Sequence, residues 1–308
     1  MESTESKQTH FDTSNVKLQN HWFKQFKNFN QDQAIEICEK QYAWHDKMTE
    51  QSNIPKKIHF IWIGKNDLPQ NFRDFYQNQW KQTHSDYEFK IWTDEDIKDM
   101  IFTNDQIIKD PEFNSGLRAD ALRLEILQTY GGIYIDIDMA VVKKLDELLF
   151  KDIDFIIGVS NTQAFELNNA IIASIPNHPI LQYLIDNLKI NMQKHIQDAN
   201  KKIQLMSLMS QMTGDDIKVD INPKQVNVIQ MSGPGFMTQY VFRYLNSNKE
   251  TNVLIAPKEY FYPLSNELRG EINPQNYIEY IDQQQYNDSI SDNIYTCHMW
   301  EVNWQNKQ

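Results

Sequence analysis

The stretch Gly131-Gly132-Ile133-Tyr134-Ile135-Asp136-Ile137-Asp138 constrains this chain more than any other. Ile133, Ile135 and Ile137 alternate with Tyr134, Asp136 and Asp138, so a strand here sends its isoleucines to one face and a tyrosine and two carboxylates to the other. Residues two apart on a strand are separated by roughly 6.6 Å along it, which lets both acids reach one divalent cation, directly or through a water. An apolar strand ending in two acids on one side suits a hard metal holding a diphosphate. The same pattern also describes an amphipathic strand with a wet acidic face.

The residues just before it form a helix, Leu117 to Tyr130, led in by Ser115-Gly116 and closed by Gly131-Gly132. At 100° per residue Arg118, Glu125 and Thr129 make a polar stripe, while Asp120 and Arg123 fall together elsewhere, flanked by Ala119, Leu124 and Leu127. A charge among such neighbours is costly without a partner. Asp120 and Arg123 are therefore either a structural ion pair or groups kept for a ligand.

Around this core the chain alternates strands and helices. Residues 1 to about 15 read as unstructured, and from Val16 to about Glu50 the recurrence of Trp22, Phe26 and Phe29, then Ala34, Ile35, Ile37 and Cys38, predicts helix. Residues 1–53 are thus a helical N-terminal extension. Lys17, Lys24 and Lys27 among the aromatics also suit a membrane-surface or partner-docking helix, with packing on the main domain the favoured reading. Lys57 to Gly64 is a buried strand, Phe72 to Trp80 a helix and Tyr87 to Trp92 a strand. Thr93 caps a helix running to about Phe102, with Asp96 three residues after the cap. The acidic strand continues into Ala140-Val141-Val142, and Phe155–Val159, Ala170–Ala173 and Val253–Ile255 are further strands. A helical excursion occupies about 179–213, and Ser232-Gly233-Pro234-Gly235 is a turn that opens another helix. Such alternation implies an α/β fold with a mixed sheet.

A net charge of −12 over 308 residues argues against a nucleic-acid partner, since neutralising phosphates needs basic surface. Cys38 and Cys297 alone give neither a disulfide framework nor a cysteine zinc site. No run approaches the ~20 apolar residues of a transmembrane segment, and Met1 to His10 is polar. The expectation is a protein that is cytoplasmic where synthesised, with delivery into a host cell open to secretion routes that use no cleaved signal.

Taken in order, Ile58-His59-Phe60-Ile61-Trp62-Ile63-Gly64, Trp92-Thr93-Asp94, Asp120-Ala121-Leu122-Arg123, the Gly131 to Asp138 stretch, Asn169-Ala170, Ser232-Gly233-Pro234 and the terminal His298, Trp300 and Trp304 resemble the DXD-containing sugar-transferase family. That family includes yeast Golgi mannosyltransferases, bacterial glycan-building enzymes and the large clostridial glucosylating toxins. The resemblance runs from about residue 54 to the end. It implies a GT-A fold over 54–308, Rossmann-like with a mixed sheet flanked by helices and with helical additions. It further implies a nucleotide-sugar donor, Mn²⁺ or Mg²⁺, and retention of anomeric configuration.

Carried over, Asp138 is similar to a direct metal ligand and Asp136 to the acid that holds the ribose and the metal shell. Tyr134 resembles a residue lining the diphosphate and sugar, and Asp120 with Arg123 the pair that binds the donor's sugar and phosphates. Ile61-Trp62 matches the segment whose tryptophan stacks on uracil in the toxin branch, which favours a UDP-sugar carrying glucose or N-acetylglucosamine. Asn169 matches a position near the donor sugar, or bonds a nearby backbone group. His298 is the candidate for completing the metal sphere, with Glu301 its rival, and Trp300 or Trp304 the cover over the diphosphate. The acceptor is a protein or a glycan, and the toxin-branch motifs incline the reading toward an effector. A surface-glycan transferase, a metal-dependent nucleotide-sugar hydrolase and a catalytically silent binding module are the competing readings.

Overall fold

The computed structural model describes residues 10–45, 53–149, 153–213, 221–248 and 252–301. Its strands are β1 (Lys57–Ile61), β2 (Glu88–Trp92), β3 (Gly132–Ile135), β4 (Met139–Val141), β5 (Phe155–Val159), β6 (Leu167–Ser174), β7 (Val253–Ala256) and β8 (Thr296–His298). Six of them form one sheet in the order β2-β1-β3-β6-β5-β7, and β4 and β8 form a separate pair. β6 runs antiparallel to both its neighbours, while the other pairings in the large sheet are parallel. This is the α/β class with a mixed sheet flanked by helices that the sequence implies.

Both faces of the sheet are covered, as parallel strands require. Against one face pack the central helix Ser115–Tyr130, the first half of the long helix Pro179–Thr213 and the helix Pro234–Ser247. Against the other lie Phe72, Tyr76 and Trp80 and the aromatic run Tyr260 to Tyr262. No helix among the described residues is long and apolar enough to cross a membrane.

Gly131 and Gly132 let the chain pass from the central helix straight into β3. Both have positive φ, 61° and 94°, and a Cβ on Gly132 would lie 2.6 Å from the Lys57 carbonyl of β1. The strand they start is shorter than the alternation implies. Asp136 still donates its N–H to the Ala170 carbonyl at 2.7 Å, but Met139 N–H then bonds back to the Asp136 carbonyl at 3.2 Å and closes a turn. The chain leaves the large sheet there and enters β4, so the acids stand on a turn rather than along a strand, and β4 does not prolong β3. Alternation alone does not separate the two, because the turn brings Asp138 back to the side of Asp136.

The N-terminal region also differs from the periodicity. Among the described residues of this region only Gln31–His45 is helical, Phe23 sits in a turn and Phe26 and Phe29 in irregular chain after it, while 46–50 of the expected helix lie outside the described residues. Their three-residue spacing comes from tertiary packing: Phe23 and Phe29 pack on Phe242 of the helix Pro234–Ser247. Asn20 and Gln31 exchange side-chain-to-backbone hydrogen bonds, and Lys17 and Leu18 donate to the Gln163 carbonyl. Of the residues expected to lack structure, 10–15 are described and Phe11 is buried, while 1–9 lie outside the described residues. Trp22 packs against Gly235, where a Cβ would come within 2.5 Å of the ring, and donates from Nε1 to Glu166 at 2.7 Å. The helix after Thr93 has its capping box with Asp96 but stops at Ile97, short of Phe102.

Three buried histidines give the fold a pH dependence. His59, His84 and His178 each accept an N–H at one ring nitrogen, from Trp92 Nε1, Leu145 N and Ile180 N at 3.2, 3.0 and 3.1 Å. Those acceptors require a neutral ring, and burial holds all three down to about 4. A depressed folded value means that this stability is complete above about pH 6.5 and is lost as pH falls toward 4, by about 2–3 kcal/mol per ring at pH 4.5. His178 caps the long helix, and asparagine offers an equivalent acceptor without titrating. Denaturant melts at pH 7.0 and 4.5 should show His178→Asn losing about 2–3 kcal/mol less than the parent across that interval.

Candidate active site

The site is built on the central helix. Asn114 caps it by accepting from Gly116 N at 2.8 Å, and Gly131 N–H closes the other end on the Leu127 carbonyl at 2.9 Å. Four of its charged residues, Arg118, Asp120, Arg123 and Glu125, are buried. Two of them anchor the helix: Arg118 pairs with Asp94, and Glu125 accepts the Asn104 backbone N–H at 2.8 Å. The other two face the ends of the strands.

Arg123 Nη2 lies 2.7 Å from Asp120 and Nη1 lies 3.3 Å from Asp136, and the Asn169 carbonyl accepts from the same guanidinium. The guanidinium carbon sits 4.2 Å from the centre of the Tyr134 ring, whose hydroxyl donates to Asp136. Asp120 takes two further hydrogen bonds, from Asn169 Nδ2 at 2.8 Å and Ser232 Oγ at 2.6 Å. Burial pushes the Asp120 carboxyl up, against the pull of Arg123 and these two donors. Asp136 is also raised, by enclosure first and then by the charge of Asp138, with Arg123 opposing. Asp120 and Arg123 thus form an ion pair, and both also line a cavity, so the pairing does not exclude a ligand-facing role.

Asp136, Asp138 and His298 each offer a ligand atom, and these atoms lie within 4.8 Å of one another. Pairing of Met139 with His298 across β4 and β8 sets the histidine beside the acidic turn. His298 Nε2 is 3.2 Å from Asp138 Oδ2, which also accepts the Glu301 backbone N–H at 2.8 Å. Burial favours a neutral His298 ring, yet the carboxylates of Asp138 and Asp136 outweigh it and raise its affinity for a proton. Two carboxylates and one imidazole crowded together form a donor set that fits a divalent cation such as Mn²⁺. Glu301 reaches Asp138 through its backbone, while its carboxylate accepts from Asn71 Nδ2 and Tyr76 Oη at 3.1 and 3.3 Å.

A cavity of about 280 Å³ opens over this cluster. Its walls include Ile61, Trp62, Asp120, Arg123, Tyr134, Asp136, Asp138, Asn169, His298, Trp300 and Glu301, so the motif residues spread over the sequence meet in one place. Trp304 lies outside the described residues. Trp62 is half-buried just past β1 and donates from Nε1 to the Asn66 carbonyl at 2.7 Å. Trp300 has a left-handed φ of 56°, held by Nε1 donating to the Leu264 carbonyl at 3.1 Å, with its ring 4.4 Å from that of His298. Such a conformation in a tryptophan is strained and persists where its surroundings fix it. Sequence reasoning did not single out Lys65, Asn168, Asn266 or Arg269, which also line the cavity. None of them carries a periodic or motif signal, since each comes from a loop end or strand end brought in by the fold. Ser232 was legible only as part of a turn, and its bond to Asp120 is what the turn positions.

Residues 69–154 match a family model described as the glycosyltransferase sugar-binding region containing the DXD motif. Inositol phosphoceramide mannosyltransferase 2 of Schizosaccharomyces pombe is 32% identical over 146 residues, 46% of this chain and 40% of that protein. The subversion of eukaryotic traffic protein A of Legionella pneumophila is 24% identical over 277 residues, 78% of this chain and 39% of that protein. The chain therefore spans less than half the length of these relatives. The solved catalytic domain of alpha-toxin from Clostridium novyi is 12% identical with a TM-score of 0.47, covering 84% of this chain and 85% of that one. The matched segment 69–154 holds the central helix, Asp120, Arg123 and both acids of the turn, so the similarity to the DXD-containing sugar-binding region falls on the residues that meet at the cavity.

Proposed function

We propose that the chain is a retaining glycosyltransferase that moves a hexose from a UDP-sugar, with Mn²⁺ or Mg²⁺ held by Asp136, Asp138 and His298. The observation that carries this reading is the meeting of a candidate metal triad with the buried Asp120–Arg123 pair around one cavity. Departure of the nucleoside diphosphate leaves negative charge on its terminal oxygen, and a bound divalent cation would neutralise that charge. Arg123 adds a fixed guanidinium, already oriented by Asp120 and Asn169. Asp120 and Asn169 are placed to take the sugar's hydroxyls, and Trp62 offers a ring to the base. The anomeric carbon's bond to the diphosphate breaks, a bond to the acceptor oxygen forms on the same face, and the acceptor's proton goes to the departing phosphate oxygen. No protein nucleophile or base is required.

The S. pombe relative's name specifies mannose, which supports GDP-mannose as the second donor to test. The Legionella relative's name, which speaks of subverting eukaryotic traffic, supports the effector reading. Trapping of a covalent sugar–enzyme adduct would refute the front-face step. Release of free sugar as the sole product with every acceptor would favour the hydrolase.

Thermal melts with UDP-glucose, UDP-N-acetylglucosamine, UDP-galactose and GDP-mannose, with and without Mn²⁺, identify the donor. Stabilisation by RT ln(1 + [L]/Kd) amounts to about 2.7 kcal/mol at a hundredfold excess over Kd. Asp138→Asn should keep the ligand-free melting temperature within a few degrees and lose the Mn²⁺-linked shift. Arg123→Leu should behave differently, because it leaves Asp120 and Asp136 without their counter-charge. It should cost about 3–5 kcal/mol of stability in denaturant melts with no ligand present.

A further inference from the structure

We propose that a second groove, opening off the donor cavity, seats the acceptor and takes a neutral, hydroxyl-rich molecule, a glycan segment or a free polyol. This rests on the glycosyltransferase reading above and names the acceptor class for it. The groove has a volume of about 800 Å³ and lies between the loop before the central helix, 111–114, and the segment 222–229. The donor cavity, about 280 Å³, falls just below the usual ligand-pocket range of about 300–1,000 Å³ and so leaves little room for a second substrate beside the first. The groove supplies that approach. Gly64, Lys65, Ser115 and Ile229 belong to the walls of both spaces, which makes them a common rim.

The chemistry of the groove decides what fits. Arg118 is paired with Asp94, and Lys224 is paired with both Asp110 and Glu112. Among the described residues Lys65 is then the single charged side chain of the groove without an ion pair, so the surface favours neither polyanion nor polycation. Amides dominate what remains. The side chains of Asn66 and Gln225 make no hydrogen bond among the described residues. Asn222 and Asn227 each accept a backbone N–H with Oδ1, from Lys224 at 2.9 Å and Gln230 at 3.2 Å, which leaves their Nδ2 groups to donate. An amide offers donor and acceptor side by side and so matches vicinal hydroxyls. Ile229, 45% exposed on the common rim, gives an aliphatic surface for the C–H face of a ring.

Two simple probes test this, methyl α-D-mannopyranoside and myo-inositol at millimolar concentration, by UDP or GDP release in Mn²⁺ with the donor identified by melting. Either polyol should stimulate release at least fivefold over the acceptor-free rate. Gln225 is exposed, so Gln225→Trp should fold and fill the groove, raising the polyol KM at least tenfold. Gln225→Asn, which keeps the amide, should raise it less than threefold. Polyol stimulation indifferent to Gln225→Trp would overturn the proposal. So would inert polyols with casein labelled equally by the parent and by Gln225→Trp, an outcome that points to a protein acceptor. Nucleotide release that ignores the groove leaves the glycosyltransferase reading standing, whereas no release from any donor removes that reading and this proposal together.

Discussion

The arrangement depends on one buried guanidinium. Arg123 stands between Asp120 on its own helix and Asp136 beyond the end of β3, with the Tyr134 ring against its face. Without it, two carboxylates would be held close together in a region poor in water, at a cost of several kcal/mol. With it, the central helix and the acidic turn are locked into one geometry. Asp120 extends the lock through Asn169 on β6 and Ser232 before the helix Pro234–Ser247. Four separate stretches of chain are thereby fixed around one ion pair.

The second requirement is a place where the sheet ends. Asp136 and Asp138 are close because the chain turns from β3 into β4, and β4 pairs with β8, which carries His298. A continuous strand would have spread the two acids along its length and left the histidine elsewhere. Met299 N–H and Glu301 N–H both bond to Asp138, one at its carbonyl and the other at its carboxylate, so the C-terminal segment is tied to the turn by backbone as well as by side chain. The strained φ of Trp300 falls between these two bonds.

The N-terminal segment contributes indirectly. Trp22 bridges Glu166, just before β6, and Gly235, at the start of the helix whose leading turn supplies Gly233 and Pro234 to the cavity. Both walls that meet Asp120 are thus braced from behind by a residue far away in sequence. Its periodicity suggested a helix, and the segment is instead a string of turns whose rings fill space around Phe242.

Local sequence determined a good deal here. The alternation of β3, the glycine pair at its start, the cap at Thr93 and the two charges on an apolar helix face all follow from short-range sterics and from the cost of burying charge. They single out Asp120, Arg123, Asp136 and Asp138, four residues that the fold brings to the wall of one cavity. Tertiary structure decided what lies between distant residues: that the acids occupy a turn, that His298 comes beside them while the Glu301 carboxylate accepts from Asn71 and Tyr76, that Asn168, Asn266 and Arg269 join the wall, and that the aromatics of 22–29 brace instead of coil. The physical reason is that a period or a cap is set by a residue's neighbours in the chain, whereas a pairing such as β4 with β8 depends on which surfaces remain uncovered once the large sheet has formed.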